Sequence, residues 1–403
     1  MKQLIVSIFL LFNSLLFSQN LTTNIQSKSL KLTATAEISI ITCGPGKELY
    51  TAFGHSAFRV RDPKLGIDKI YNYGTFDYKQ PNFYGNFAKG NTIYFLGVAD
   101  TGRFLRIYQY EKRWVKGQVL DLQPADVQQL YNYLENNSLL KNRDYLYNYF
   151  FDNCSTRLVD VIEVVLGEKL SNPTNLFTED NLTHRELMQL YLGNNAWGDF
   201  GIDLALGSPI DRKATPKEYL FLPENVFAYF DALKIKETIN KSKPIVKRTE
   251  VILPESNKIV KKSFFTPFIL FSIIGLIVVI ITRKDIQKKQ RTRWLDFSLF
   301  FITGSVGLGL LLIWFATNHI SAANNFNVLW AFAPNLIISF ILLKKKLPNW
   351  IRKYIQLLLI LLAVVVLLWI FKYQIFSNAT LPILLFLGVR YYYLLKHFDY
   401  VKN

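Results

Sequence analysis

Two short stretches hold residue types able to do covalent chemistry. Phe150-Phe151-Asp152-Asn153-Cys154-Ser155-Thr156-Arg157 places one of only two cysteines at the threshold of an amphipathic run. Phe53-Gly54-His55-Ser56-Ala57, well upstream, places one of only four histidines at the opening of a strand-like run. A thiol at the first turn of a helix gains from the helix dipole and is biased toward thiolate, and an imidazole is its usual proton acceptor. The Cys154 backbone amide, at the same turn, is placed to stabilise an oxyanion. The competing readings are a disulfide with Cys43, common for exported cysteine pairs, and a buried, inert thiol. His55 also has a plain alternative as a packing residue. It is favoured as the base by elimination, because His184 sits in Thr183-His184-Arg185-Glu186 at an apparent helix start, where capping accounts for it. A third group must orient the imidazole. Asn72, in the strand after the His strand, and Glu48, in the segment before it, both remain open; Asn72 is equally readable as a polar residue beside a turn. Arg157 and Asp160 read as an ordinary helix-surface ion pair, with a lipid phosphate as the weaker alternative partner of Arg157. No Cys-x-x-Cys, His-x-x-x-His or dense carboxylate cluster occurs, and Gly44-Pro45-Gly46 is only a turn, so neither metal nor cofactor is expected.

The elements that must position these groups follow from hydrophobic period and turn residues. Strands are expected over 36–42, 55–60 and 68–73, separated by turns at 43–46 and 62–66. His55 to Val60 alternates as a half-buried strand should. If the second and third strands form a hairpin, Asn72 faces the side of His55. A helix is expected over 124–136, with Val127, Leu130, Tyr131 and Leu134 on one face. A second begins at the capping pair Asp152-Asn153 and runs to Gly167, with Leu158, Val159, Ile162, Val165 and Leu166 as its buried stripe. The fold class expected is α+β.

The chain opens with Met1-Lys2, an apolar run from Leu4 to Phe17 and Ser18-Gln19-Asn20, which reads as an export signal over 1–18. An exported domain is expected over 19–240, a Lys-, Glu-, Ser- and Pro-rich tether over 241–263, and a membrane domain over 264–403. Apolar segments at 264–282, 295–316, 328–343, 355–371 and 381–395 predict five spans, with four as the alternative count. Basic residues cluster after the first span (Arg283, Lys284, Lys288, Lys289, Arg291, Arg293) and the third (Lys344, Lys345, Lys346, Arg352, Lys353). The loops after the second and fourth spans are nearly free of charge. The positive-inside rule therefore puts the basic loops in the cytoplasm and the domain before Phe264 outside, as the signal segment independently requires. From Phe264 onward, 15 Lys and Arg face 3 Asp and Glu, so +12 of the net +17 is topology signal rather than a nucleic-acid footprint. His319, Asn324, Asn325 and Asn327, followed by Trp330 and Pro334, fall in an outside loop and read as interfacial anchors or as the lining of a lipid entry path.

Cys43-Gly44-Pro45-Gly46, Phe53-Gly54-His55-Ser56-Ala57-Phe58-Arg59-Val60, Tyr71-Asn72-Tyr73-Gly74-Thr75-Phe76-Asp77 and Asp152-Asn153-Cys154-Ser155-Thr156-Arg157 together resemble the Bacteroides-type lipoprotein N-acyltransferase family. Trp197-Gly198-Asp199-Phe200-Gly201-Ile202-Asp203 and Asn325-Phe326-Asn327-Val328-Leu329-Trp330 are similar to it too, so the resemblance spans nearly the whole mature chain. The order His, polar residue, Cys is also similar to circularly permuted papain-like folds of the lecithin:retinol acyltransferase kind. The resemblance implies a permuted papain-like exported domain with Cys154 as nucleophile, His55 as base and Asn72 as the orienting residue, although the retinol-type enzymes carry His where Asn72 stands. It implies a phospholipid acyl donor, a diacylated lipoprotein acceptor and a place in the cytoplasmic membrane with the N-terminal domain in the periplasm. Two other readings of the residues are kept: an exported Cys-His cell-wall amidase or peptidase, and a non-catalytic membrane-tethered module stapled by Cys43 and Cys154.

Overall fold

The computed structural model describes residues 30–193, 195–238, 241–255 and 264–402. The expected signal segment 1–18 lies outside them. Seven strands form one antiparallel sheet: β1 (Glu37–Cys43), β2 (His55–Asp62), β3 (Ile67–Thr75), β4 (Ile93–Asp100), β5 (Val115–Leu120), β6 (Asp144–Leu146) and β10 (Val246–Leu253). Their order is β10-β5-β1-β2-β3-β4-β6, while β7 (Leu170–Ser171), β8 (Lys234–Thr238) and β9 (Lys241–Pro244) make a smaller sheet. Among the described residues seven α-helices accompany them: α1 (Phe83–Lys89), α2 (Thr101–Glu111), α3 (Pro124–Ser138), α4 (Cys154–Leu166), α5 (His184–Leu192), α6 (Ala196–Ala205) and α7 (Pro223–Ala232).

The hairpin of β2 and β3 pairs Phe58 with Tyr71 and Arg59 with Ile70, so the pleat turns Ala57 and Asn72 to one face and Phe58 and Tyr71 to the other. On the second face α3 and α4 lie across the strands: the Tyr71 hydroxyl donates to Glu135, the Tyr73 hydroxyl to Asn137, and Ser56 Oγ meets Ser155 Oγ at 3.2 Å. On the first, Phe104 and Tyr108 of α2 pack on Ile41, Cys43, Ala57 and Ile70. β2 is therefore covered on both sides, and Ala57 and Phe58 are equally buried. The half-buried alternation expected of it is not seen, because a central strand between helical layers has no solvent face.

The segment expected as a tether is folded as far as Leu253. β9 extends the small sheet, and β10 adds an edge strand beside β5, with Arg248 opposite Val119 and Glu250 opposite Gly117.

Beyond it lie α8 (Pro267–Lys288), α9 (Arg293–Ala316), α10 (Asn327–Trp330), α11 (Asn335–Leu342), α12 (Trp350–Ile370) and α13 (Thr380–Lys402). Among the described residues three helices, α8, α9 and α12, are long and apolar enough to cross a membrane. The expected third span is split into α10 and α11, because Pro334 cannot continue an N–H ladder and opens α11 instead. The break packs into α9 at two glycines. A Cβ on Gly307 would stand 1.7 Å from Ala331 O, and one on Gly304 2.1 Å from Leu336 N. The expected fifth span lengthens to Lys402, and its Arg390 is fully buried between Asp296 (2.7 Å) and Asp285 (2.8 Å).

The sheet-bearing region is held to the loops after α9 and α12. Gly207 N donates to Ser321 O at 2.9 Å, Ser208 N to Asn324 O at 3.2 Å, Asn325 Nδ2 to Leu204 O at 2.8 Å and Asn327 Nδ2 to Asp203 O at 3.0 Å. Gln374, from the loop after α12, accepts from Phe326 N at 2.8 Å. These are the two charge-poor loops. The basic ends lie elsewhere, where Arg291 donates to Lys344 O at 2.7 Å. Asn325 and Asn327 thus serve neither of the roles read from the sequence: they bond the two regions together.

Candidate active site

The start of α4 is fixed by its own sequence. Asn153, the N-cap, accepts from Ser155 N (2.8 Å) and Thr156 N (3.0 Å), while Thr156 Oγ1 accepts from Asn153 N (2.9 Å). The Asn153 amide also donates to Tyr149 O and Phe221 O, both at 2.8 Å, which nails the cap to its surroundings. Cys154 is the first residue of the helix, and among the described residues its N–H takes no hydrogen-bond partner. Arg157 pairs with Asp152 (Nη2 to Oδ2, 2.6 Å), not with Asp160, and its guanidinium stacks 4.3 Å over the Tyr145 ring. Reciprocal backbone bonds with Asn148 (3.0 and 2.9 Å) fix Asp152 just before the helix, within reach of that guanidinium.

His55 opens β2 opposite Cys43 of β1. Its Nε2 donates to Asn72 Oδ1, which leaves Nδ1 for the Cys154 sulfur. The hairpin brings Asn72 and His55 to one face; Glu48, in the other position considered, is exposed and gives only its backbone carbonyl to Thr51. Gly74 closes the group. At φ +83° it holds a conformation that favours glycine, and a Cβ there would stand 3.5 Å from Cys154 Cβ and 3.9 Å from His55 Cε1. So the structure brings His55, Asn72 and Cys154 together, far apart as they are in sequence.

Electrostatics follow from this packing. Burial pushes the Cys154 thiol up, but the charge and hydrogen bond of His55, the Ser56 N–H and the Ser155 hydroxyl outweigh it, and the net direction is down. Burial pushes His55 down, and the Cys154 sulfur with the Asn72 hydrogen bond reverse that to a net rise. Both shifts favour a thiolate–imidazolium pair. Cys43 behaves oppositely: burial with no comparable partner drives its thiol up to about 12. Both cysteines are free, so the staple between them is absent.

His184 is not a capping group. Thr183 caps α5, accepting from Glu186 N at 3.1 Å, while the His184 ring is wedged among Phe150 (4.9 Å), Phe221 (5.8 Å) and Phe151 (5.9 Å). Burial in that apolar nest lowers its pKa to about 4.

Sequence reasoning missed Ser56 and Ser155 at the sulfur, and the run Tyr145, Tyr147, Tyr149 beside it. All three phenols are raised first by burial and then by the neighbouring Cys154 sulfur. Tyr149 Oη is buried with no hydrogen-bond partner among the described residues. The every-second-residue spacing of these tyrosines was the available signal.

A family model of the Lnb N-terminal periplasmic domain matches residues 24–189, which include His55, Asn72 and Cys154. A second, of the Lnb transmembrane domain, matches residues 259–400. The chain belongs to the Lnb family, the Bacteroides-type lipoprotein N-acyltransferases. No curated protein and no solved structure matches it. As an Lnb chain it is a lipoprotein-modifying protein of the inner membrane, with a mixed α/β domain in the periplasm followed by a helical transmembrane domain.

Proposed function

We propose that this Lnb protein moves an acyl chain from a phospholipid to the N-terminal amine of a diacylglyceryl-cysteine lipoprotein through a thioester on Cys154. The observation that carries the reading is the grouping of Cys154, His55 and Asn72 at a helix N-terminus, in a domain bonded to the charge-poor side of a membrane region. The Cys154 thiolate attacks the ester carbonyl, and the electron pair moves to the carbonyl oxygen. The Cys154 N–H and the Tyr149 O–H are the donors for that oxyanion. As the intermediate collapses, the C–O bond to the glycerol breaks and imidazolium His55 gives its proton to the departing alkoxide, releasing lysophospholipid. The lipoprotein amine then attacks the thioester, His55 takes a proton from the amine, and the thiolate leaves as the amide forms. Asn72 holds the ring so that Nδ1 faces sulfur throughout.

The chain order of His strand, Asn strand and Cys helix fits a permuted papain-like arrangement. The broken pair α10–α11 and α13 complete a five-pass bundle in this reading, keeping both lipid substrates in the bilayer. The test is purified protein in phospholipid vesicles with a synthetic diacylated lipopeptide. Lysophospholipid release, a triacylated product and an acyl adduct on the Cys154 peptide are expected. An unreactive lipopeptide together with cleaved peptidoglycan stem peptides would overturn the reading in favour of a wall amidase.

A further inference from the structure

The connection from β3 to β4 carries an aromatic cluster that the mechanism does not use. Phe76 packs on Tyr78 (4.8 Å), Phe83 (5.8 Å) and Tyr94 (5.1 Å), and Phe83 on Tyr84 (5.3 Å) and Phe87 (6.3 Å). Three of these rings point outward: Tyr78 is 63 %, Tyr84 77 % and Phe87 56 % exposed. A surface of that kind on a periplasmic domain needs an occupant.

Its position names one. α1 is bonded to the loop leaving α9: Asn318 N donates to Lys89 O at 2.8 Å, Asn318 Nδ2 to Asn91 Oδ1 at 2.7 Å, and His319 Nε2 to Phe87 O at 3.1 Å. The last turns of α9 leave Leu312 and Phe315 exposed, as a membrane-crossing helix does toward lipid. The end of that span sets the depth of α1 at the outer headgroup boundary, where Tyr and other aromatic rings are favoured. Inward, the row continues to the site. Tyr94 stacks on Tyr147 at 4.2 Å, the Tyr147 phenol lies within the electrostatic reach of the Cys154 sulfur, and Phe76 lies two residues beyond Gly74, where a Cβ would stand 3.5 Å from Cys154 Cβ.

We propose that α1 with Tyr78 is a wedge seated in the outer leaflet, and that the aromatic row Phe76, Tyr94, Tyr147 guides the ester-bearing end of a leaflet phospholipid to Cys154. The guiding role rests on the acyl-transfer reading; the seating in the leaflet does not.

The experiment uses the full chain in vesicles of phosphatidylethanolamine and phosphatidylglycerol containing a photoactivatable phosphatidylethanolamine. Peptides covering 76–91 are expected to carry lipid adducts alongside α8, α9 and α12; adducts confined to residues 264–402 overturn the seating. A double variant, Tyr84→Glu with Phe87→Glu, changes only exposed rings. It is expected to slow formation of acyl-Cys154 from vesicle phospholipid by about tenfold or more, while iodoacetamide still alkylates Cys154 at the wild-type rate. Wild-type acylation by the double variant shows that donor delivery does not need the wedge, and wild-type acylation by Tyr94→Leu, which removes the stack on Tyr147, overturns the guiding role; both leave the acyl-transfer reading standing. Adducts on 76–91 in a wild-type protein that forms no acyl-enzyme uphold the seating and overturn the acyl-transfer reading together with the guiding role.

Discussion

Replacing Asn72 with Ala isolates the orienting hydrogen bond from the rest of the site. The His55 ring keeps its place at the start of β2, beside Gly74 and Phe104, but loses the acceptor on Nε2. A hydrogen bond to a charged partner is worth about 1.5–3 kcal/mol, which corresponds to a loss of roughly 10- to 150-fold in the rate of acyl transfer. The sign of the pH effect follows from the shifts. Cys154 is lowered and His55 raised, so the ion pair exists above the thiol's depressed value and below the imidazole's raised one. Without Asn72 the imidazolium is less stable, so the His55 limb moves down; a weaker imidazolium holds the thiolate less well, so the Cys154 limb moves up. The window narrows from both sides. The assay is the rate of acyl-Cys154 formation against pH, which needs both members of the pair, with iodoacetamide alkylation reading the Cys154 limb alone; Cys43 is silent because burial drives its thiol up to about 12. An Asn72→Ala profile superimposable on wild type, or a window that widens, refutes the reasoning. His55→Ala is the limiting case, and its alkylation limb should return toward the ordinary thiol range.

Cys154→Ser is expected to abolish both the acyl adduct and the triacylated product while membrane insertion, followed by carbonate extraction, is unchanged. Cys43→Ala should retain acyl transfer with and without reductant, since no bridge to Cys154 exists; loss of activity on adding reductant to wild type would contradict this. Tyr149→Phe removes one oxyanion donor and should lower the acylation rate by roughly 10²–10³-fold with little change in the midpoint of thermal unfolding. Arg185→Met strands Asp203 and Asp211, each 2.7 Å from the guanidinium, and should cost about 3–5 kcal/mol, read as a lowered unfolding midpoint in detergent.

The site was legible where one local rule sufficed. Asp152 and Asn153 announced the helix that presents Cys154, and a turn between two β-rich runs announced the hairpin that sets Asn72 beside His55. The choice between Asn72 and Glu48 needed the register itself, which only the folded hairpin supplies. The richness of 241–263 in Lys, Glu, Ser and Pro reads as tether, yet Val246–Leu253 is an edge strand whose exposure, not its residue types, alternates along the chain, so composition alone hides it. The helix start at Thr183-His184 was legible, but the capping role expected of His184 falls to Thr183; the His184 ring is buried among phenylalanines, and its neighbour Arg185 is buried between two carboxylates. The join between periplasmic and membrane regions left still less trace. It mixes backbone contacts with side-chain amides that reach backbone carbonyls: Gly207 meets the 321–325 loop so closely that a Cβ would stand 2.0 Å from Ala323 O, and Asn325 and Asn327 donate to Leu204 O and Asp203 O. A backbone acceptor carries no residue-type signature, so the asparagines alone do not name their partners. In the proposed reading these contacts are nonetheless what holds the thiol at a constant height above the lipid. An acyl donor that never leaves the bilayer demands that constancy, and so the join is as necessary to the proposed chemistry as the imidazole.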